Sequence, residues 1–158
     1  MNFDGASRGN PGPSGCGACL RNSFEEVVAI IVSPFPIDTN NIMEAHALLV
    51  ELLLAKQGYF NRLHIEGYSL FIIDSCIHRR IISWKLKYVL KKIWRLLDEC
   101  SDVCISHIYQ EGNKVVDFLS KLVCDGVIVY TFHTLPFIEQ HMDLKNIIQN
   151  DMVASISR

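Results

Sequence analysis

Long apolar runs are absent from this sequence of 158 residues, and their absence excludes proteins that span a membrane. A helix that crosses a bilayer needs about 18 or more mostly apolar residues, whereas the most apolar stretch, Leu48–Ala55, is shorter and contains Glu51. The first residues also lack the basic start and apolar core of a signal peptide. We therefore expect an intracellular protein, nuclear or cytoplasmic, that is not secreted and has no membrane partner.

Excess positive charge is also missing, because the formal net charge is −2. Bulk electrostatics therefore do not predict nucleic-acid binding. One segment, Arg79–Arg95, nevertheless carries seven basic residues and no acid. It is either a solvated helix face or a surface that contacts phosphates. In the second case Lys85 and Lys92 are the candidate nucleic-acid-binding residues.

Cysteine pairs with the spacing of a zinc site are lacking, although the chain has six cysteines. Cys16 and Cys19 lie three apart in a predicted strand, so their side chains point to opposite faces. That spacing argues against a zinc knuckle, and no second pair matches it. We expect free thiols that are mostly buried.

Repeats and low-complexity tracts are absent too, and what remains is typical of one globular domain. Hydrophobic residues make up 49% of the chain and charged residues 20%, which is enough apolar surface to bury a core. Turn-forming residues and alternating patterns predict three antiparallel strands, the third ending at Pro34 and Pro36. Helical spacing then alternates with two more strands. The expected fold is α/β (mixed α+β), with a mixed sheet flanked by helices.

Three carboxylates lie where this fold could bring them together. Asp4 ends the first predicted strand, Glu44 lies in the predicted first turn of the first long helix, and Asp117 lies in the predicted first turn of the last helix before the tail. A helix N-terminus favours a carboxylate by about 0.3–1 kcal/mol. Simple stabilisation of a helix start is therefore an alternative role for Glu44 and Asp117.

Four segments together resemble one known family: FDGASRGNPGPSGCGACLR, TNNIMEAHALL, LHIEGYSLFII and SHIYQEGNKVVDFLS. They resemble the type 1 ribonuclease H domain, in the version found in plant proteins related to retrotransposon reverse transcriptases. The resemblance covers Asn2 to about Gly126. It implies a ribonuclease H-like domain at 1–126 with a shortened first strand, and a C-terminal extension at 127–158. We expect this extension to pack loosely. The implied fold is a five-stranded mixed sheet flanked by helices.

The resemblance also implies an activity, namely cleavage of the RNA strand of RNA–DNA hybrids by a monomer that holds two Mg²⁺ ions with four carboxylates. Hard cations of this kind prefer oxygen ligands and activate water. The implied metal ligands and catalytic residues are Asp4, Glu44 and Asp117. The implied contacts to the sugar-phosphate backbone and the 2′-hydroxyl are Asn10 and Asn40. His107 and Asn113 are possible auxiliary residues.

Tyr68 departs from the family pattern, because it stands where the third carboxylate belongs (EGYS instead of EGDS). A phenol is neutral at pH 7 and a poor Mg²⁺ ligand, so we expect an impaired metal site. Glu66, two residues earlier on the strand, is a weak candidate to replace the missing acid. Gln110 also replaces a usual arginine. The chain is therefore a nuclease with reduced metal binding, a non-catalytic retroelement relic that still binds nucleic acid, or a domain without a nucleic-acid role.

Overall fold

The computed structural model of the protein describes residues 1–81, 83–109, 114–124 and 142–156, without the side chains of 123–124 and 151–156. The predicted roles of Asn113 and Gln110 lie outside the described residues. The described elements are β1 (Asn2–Ser7), β2 (Gly12–Arg21), β3 (Val27–Asp38), α1 (Asn40–Gln57), β4 (Arg62–Gly67), α2 (Leu70–His78), a 3₁₀ turn (Trp84–Leu86), α3 (Lys87–Asp98), β5 (Asp102–His107), α4 (Lys114–Cys124) and α5 (Met142–Ile156).

One mixed sheet contains the five described strands in the order β3–β2–β1–β4–β5. β1 lies at its centre and pairs antiparallel with β2 and parallel with β4. β5 continues the parallel half at the far edge. The predicted fold class, a mixed five-stranded sheet flanked by helices, is confirmed.

Helices pack on both faces of this sheet, and the sheet separates two hydrophobic cores. α1, α2 and α3 cover one face around Phe3, and α4 and α5 cover the other around Val116. Cys16 belongs to the first core and Cys19 to the second, so the predicted opposite orientation of these side chains is confirmed. The cysteines with described side chains are free thiols, and Cys76 is buried like these two.

β3 is longer than predicted, because it continues through Pro34 and Pro36 to Asp38. The prediction that the prolines end it is wrong. β3 is an edge strand, where alternate backbone N–H groups point to solvent rather than to a neighbour. Two prolines spaced two residues apart can both occupy such positions without removing a ladder hydrogen bond.

Helix α5 lies in the part of the chain that we expected to pack loosely. Leu144 is completely buried and Ile148 is 7% exposed, and both belong to the core beneath α4. This helix is therefore packed more closely than expected, while the division of the chain at residue 126 stays a prediction. No described helix is both long enough and apolar enough to cross a membrane.

A buried acid, Glu51, interrupts the apolar face of α1. It is completely buried, and neither carboxyl oxygen has a hydrogen-bond partner of good geometry. Burial raises its pKa to about 8, although the Met1 ammonium and the Asn2 backbone amide act in the opposite direction. The folded protein therefore holds this side chain as a neutral acid at pH 7.

We expect Glu51→Gln to become progressively more stable than the parent chain as the pH rises. Because folding raises the pKa of Glu51, the stability that its protonated side chain contributes is fully present below the unfolded-state pKa of about 4.5. This contribution is lost as the pH approaches the folded-state pKa of about 8. The difference in unfolding free energy between the two proteins should grow by about 1.4 kcal/mol per pH unit in that window. Urea denaturation at pH 5, 6 and 7 measures it, and parallel stability profiles would contradict the assignment.

Candidate active site

A cleft of about 370 Å³ opens at the end of β1, between the first turns of α1 and α4. It brings together side chains from four separate elements or their ends. The predicted site residues that line it are Asp4, Asn40, Glu44, Tyr68 and Asp117. All three predicted carboxylates therefore meet at one place, as the sequence led us to expect.

Gly5 explains how α1 comes close enough to place Glu44 beside Asp4. A Cβ atom built on Gly5 would overlap the Met43 carbonyl carbon and the Glu44 nitrogen. Only a glycine therefore lets the helix backbone lie directly on the central strand. The carboxyl groups of Asp4 and Glu44 then form a hydrogen bond with each other.

The alternative role of Glu44, stabilisation of a helix start, does not hold. α1 begins at Asn40, and its first turn contains no acidic residue. Glu44 is only 5% exposed, and its Oε2 atom is buried without a hydrogen-bond partner. A carboxylate that only served the helix dipole would lie in the first turn and remain solvated.

Gly17, like Gly5, lets a helix lie close to the sheet, but on the other face. It pairs with Asp4 in the β1–β2 register, and a Cβ atom on it would lie 2.7 Å from the Val116 carbonyl oxygen and 2.8 Å from Leu119 Cβ. α4 therefore packs directly over this pair. As a result, Ser120 Oγ donates a hydrogen bond to Asp4 Oδ2 at 3.0 Å.

Sequence reasoning missed Ser120. It is completely buried, and its hydroxyl lies within hydrogen-bond distance of both Asp4 Oδ2 and the Asp117 carbonyl oxygen, at 3.0 Å each. The available signal was its spacing, since residues three apart share a helix face. A serine three residues after a candidate ligand on a buried face was therefore a candidate neighbour of the site.

Burial and crowding keep protons on this cluster. Burial raises the pKa of Asp4 to about 6, against the hydrogen bonds from Ser120 and Glu44, and the charge of Asp117 raises it further. Burial, followed by the nearby Asp4 carboxyl, raises the pKa of Glu44 well above its usual value. Two carboxyl groups in hydrogen-bond contact share a proton in the absence of a cation.

Asp117 lies in the first turn of α4, where a carboxylate also stabilises the helix start. Its Oδ2 accepts a hydrogen bond from Lys121 Nζ at 2.7 Å, one helical turn further on, and Lys121 also lines the cleft. Sequence reasoning missed this lysine, although its i,i+4 spacing from an acid was visible. Asp117 is therefore already paired with a cation.

The donor atoms fit a hard divalent cation, but at only part of the cleft. The unpartnered Glu44 Oε2 and the neighbouring Asp4 carboxyl are oxygen ligands without a counter-charge. Within the described ranges, no group of three or more histidine, cysteine or acidic side chains is arranged to hold a metal ion. Tyr68, 45% exposed, lines the cleft with a phenol instead of a carboxylate.

Glu66 does not replace the missing acid. Its Oε2 accepts a hydrogen bond from Asn2 Nδ2 at 3.1 Å, and its Oε1 lies 3.8 Å from His64 Nε2. Both partners lie away from the cleft, and Glu66 does not line it. The weak prediction that this side chain could serve as a ligand is therefore not supported by its position.

Asn10 and Asn40, the predicted contacts to the sugar-phosphate backbone, lie next to each other. Asn10 Oδ1 accepts a hydrogen bond from the backbone N–H of Asn40 at 3.0 Å. Asn10 has a φ of 35° and follows Gly9 at 95°, a conformation that glycine and asparagine adopt more readily than other residues. The turn after β1 thereby holds the N-terminus of α1 at the rim of the cleft.

The remaining predicted residues do not line the cleft. His107 ends β5, and its ring centroid is 6.4 Å from that of Tyr68 and 5.7 Å from that of Tyr109. Lys85 and Lys92 are exposed, one in the 3₁₀ turn and one in α3. The exposed rings of Trp84 and Tyr88 accompany them.

Comparisons with known proteins agree with this geometry. The model of a family described as "Reverse transcriptase-like" matches residues 2–123. A ribonuclease H of Aromatoleum aromaticum is 38% identical over 104 residues, which cover 62% of this chain and 67% of that protein.

Solved structures resemble the fold as well. RNase H1 of the halophilic archaeon Halobacterium salinarum NRC-1 is similar with a TM-score of 0.75 and 28% identity, over 80% of this chain and 96% of that one. LC11-RNase H1, solved in complex with an RNA/DNA hybrid, has a TM-score of 0.73 and 24% identity, over 79% and 95% of the two chains.

Proposed function

We propose that this chain, which belongs to the reverse transcriptase-like family and folds as a type 1 ribonuclease H domain, binds RNA–DNA hybrids and hydrolyses their RNA strand with Mg²⁺. The observation that supports this proposal most directly is the meeting of Asp4, Glu44 and Asp117 in one cleft. Structural relatives include proteins solved with such hybrids. Cellular location, monomeric state and a plant retroelement origin stay predictions.

In this proposal the side chains of the cleft have separate tasks. Bound Mg²⁺ supplies an activated water and positive charge at the reacting phosphate. Asp4 and Glu44 release their shared proton and offer their oxygens as ligands, while Ser120 holds the Asp4 carboxyl through its hydrogen bond. Lys121 keeps Asp117 oriented at the mouth of the cleft.

Recognition of the hybrid falls to groups around the cleft. Asn10 and Asn40 lie at the rim, where amide groups can contact the sugar-phosphate backbone and the 2′-hydroxyl, the group that distinguishes RNA from DNA. The exposed Lys85 and Lys92 are proposed to contact phosphates further along the duplex. His107 lies near Tyr68, with 6.4 Å between the ring centroids, and is proposed to contact the nucleic-acid strand at the edge of the cleft.

Asp4→Asn should abolish Mg²⁺-dependent cleavage of a labelled RNA–DNA hybrid by the parent chain. Asp4 is proposed to bind Mg²⁺ together with Glu44 as a negatively charged carboxylate, and an amide side chain cannot carry that charge. Cleavage assays of both proteins in Mg²⁺ and in EDTA measure this, with all-DNA and all-RNA duplexes as substrate controls. Equal cleavage by both proteins would contradict a metal-dependent reaction in this cleft.

A second function, binding of nucleic acid without cleavage, is favoured by Tyr68, because the phenol occupies the position of a metal ligand. In that case the parent chain binds hybrid in the presence and absence of Mg²⁺ but leaves it intact. Fluorescence anisotropy in EDTA measures binding alone, and the same sample in Mg²⁺ measures cleavage. The two functions therefore give different results in one experiment.

Lys85→Gln combined with Lys92→Gln should weaken hybrid binding without changing strand preference. Each lost phosphate contact should reduce the slope of log affinity against log salt by about one. Arg62→Gln is the control, because Arg62 begins β4 whereas Tyr68 follows the end of that strand. Arg62 therefore lies at the end of β4 that is away from the cleft. If the control weakens binding as much as the double variant, the effect is one of net charge rather than of this surface.

A further inference from the structure

The proposed Mg²⁺ site differs from a site for two ions in its charge. Ionised Asp4, Glu44 and Asp117 carry three negative charges, and Lys121 contributes one positive charge among the described residues that line the cleft. One divalent cation balances the remaining two charges. A second divalent cation would leave the cleft with an excess of two positive charges, and their mutual repulsion disfavours its binding.

The position of Lys121 makes this charge part of the site. Its Nζ atom lies 2.7 Å from Asp117 Oδ2, and the pair is spaced i,i+4 on α4, so the helix itself holds the two side chains together. An ammonium group has three donors, of which Asp117 accepts one. Asp117 is therefore already paired with a positive charge, and no three acids among the described residues are arranged to hold a metal ion together.

The Asp4–Glu44 pair is the opposite case, because no positive side chain among the described residues forms an ion pair with it. Glu44 is 5% exposed, and its Oε2 atom is buried in the cleft without a hydrogen-bond partner. A buried acceptor of this kind is costly unless something satisfies it. A cation bound between the two carboxyl groups would satisfy it.

Tyr68 also distinguishes this cleft from a site for two ions. A fourth carboxylate at this position would offset one of the two excess positive charges that a second divalent ion brings, whereas the phenol offsets neither. Resting on the proposed function, we infer that the cleft binds a single divalent cation at Asp4 and Glu44, and that the Lys121 ammonium takes the place of the second cation beside Asp117. Lys121 is thus a counter-charge beside Asp117 that belongs to the cleft itself.

Titration with Mn²⁺ alone, followed by calorimetry and electron paramagnetic resonance, tests this inference without any measurement of activity. We expect one Mn²⁺ per chain with the spectrum of an isolated ion. Lys121→Met should bind the ion roughly tenfold more tightly, because a positive charge has left the cleft. Lys121→Met combined with Tyr68→Asp should bind two ions with an exchange-coupled spectrum.

Lys145→Met is the matched control, because Lys145 is an exposed lysine of α5 and its loss should leave Mn²⁺ affinity unchanged. Two ions per parent chain, no Mn²⁺ binding, or equal affinity of the parent and Lys121→Met would each overturn the inference. Hybrid binding in EDTA, measured on the same samples, tests nucleic-acid recognition separately. A protein that binds hybrid but not Mn²⁺ therefore refutes the single-ion site and leaves recognition intact.

Discussion

Tyr68→Asp should increase Mg²⁺-dependent cleavage of an RNA–DNA hybrid by about 100-fold over the parent chain. The side chain lines the cleft beside Asp4 and Glu44, and its replacement supplies a further carboxylate ligand and one more negative charge for Mg²⁺. A gain of about 3 kcal/mol in stabilisation of the transition state corresponds to roughly this change in rate. Single-turnover cleavage of an end-labelled hybrid measures it.

Tyr68→Phe is the matched control, because it keeps the ring and removes only the hydroxyl. It should cleave no faster than the parent chain, since it adds no ligand. If Tyr68→Phe and Tyr68→Asp gained equally, the effect would come from the loss of the hydroxyl rather than from a new carboxylate. Cleavage by Tyr68→Asp alone would mean that the scaffold is intact and lacks one ligand.

Gly5→Ala should destabilise the fold by about 3 kcal/mol or more, at the upper end of what an added methyl group costs in a packed interior. The new Cβ atom would overlap the backbone of Met43 and Glu44, and neither the helix nor the central strand can move without disturbing the core. Displacement of α1 should also separate Glu44 from Asp4. Urea denaturation of the parent and variant measures the loss of stability.

Gly58→Ala provides the control at a second glycine, the C-cap of α1 with a φ of −80°. There the new methyl group meets the Phe60 ring, at 2.6 Å, which is a side chain that is 43% exposed rather than a packed backbone. We expect a change within about 0.5 kcal/mol. A similar loss for both variants would mean that the close approach at Gly5 is not what distinguishes it.

The location of the candidate site followed from the sequence, but its internal contacts did not. Asp4, Glu44 and Asp117 were predicted from their motifs, and they meet as expected. The contacts of Ser120 with Asp4 and of Lys121 with Asp117 were not predicted. They depend on how closely α4 approaches the sheet, which is decided at Gly17, about 100 residues away in the chain.

Local sequence patterns predicted the structure correctly where it depends on the segment itself. They failed where the structure depends on which other strand or helix lies beside the segment. Alternation placed Cys16 and Cys19 on opposite faces without any knowledge of what covers them. The prolines of β3 were misinterpreted, because only the strand order makes β3 an edge where proline is tolerated. Likewise, nothing near Leu144 in the sequence indicates the core that it enters.

The sequence by itself determined the order of strands and helices, the mixed α/β class and the acids of the cleft, since these depend on local periodicity and on motifs. Only the tertiary structure decided the chemistry of those acids. Asp4 and Glu44 lie close together because two backbones meet at Gly5, and Asp117 forms an ion pair with a lysine one turn away that lines the same cleft. Burial and charge depend on neighbours that are distant in the chain, so they are properties of the fold.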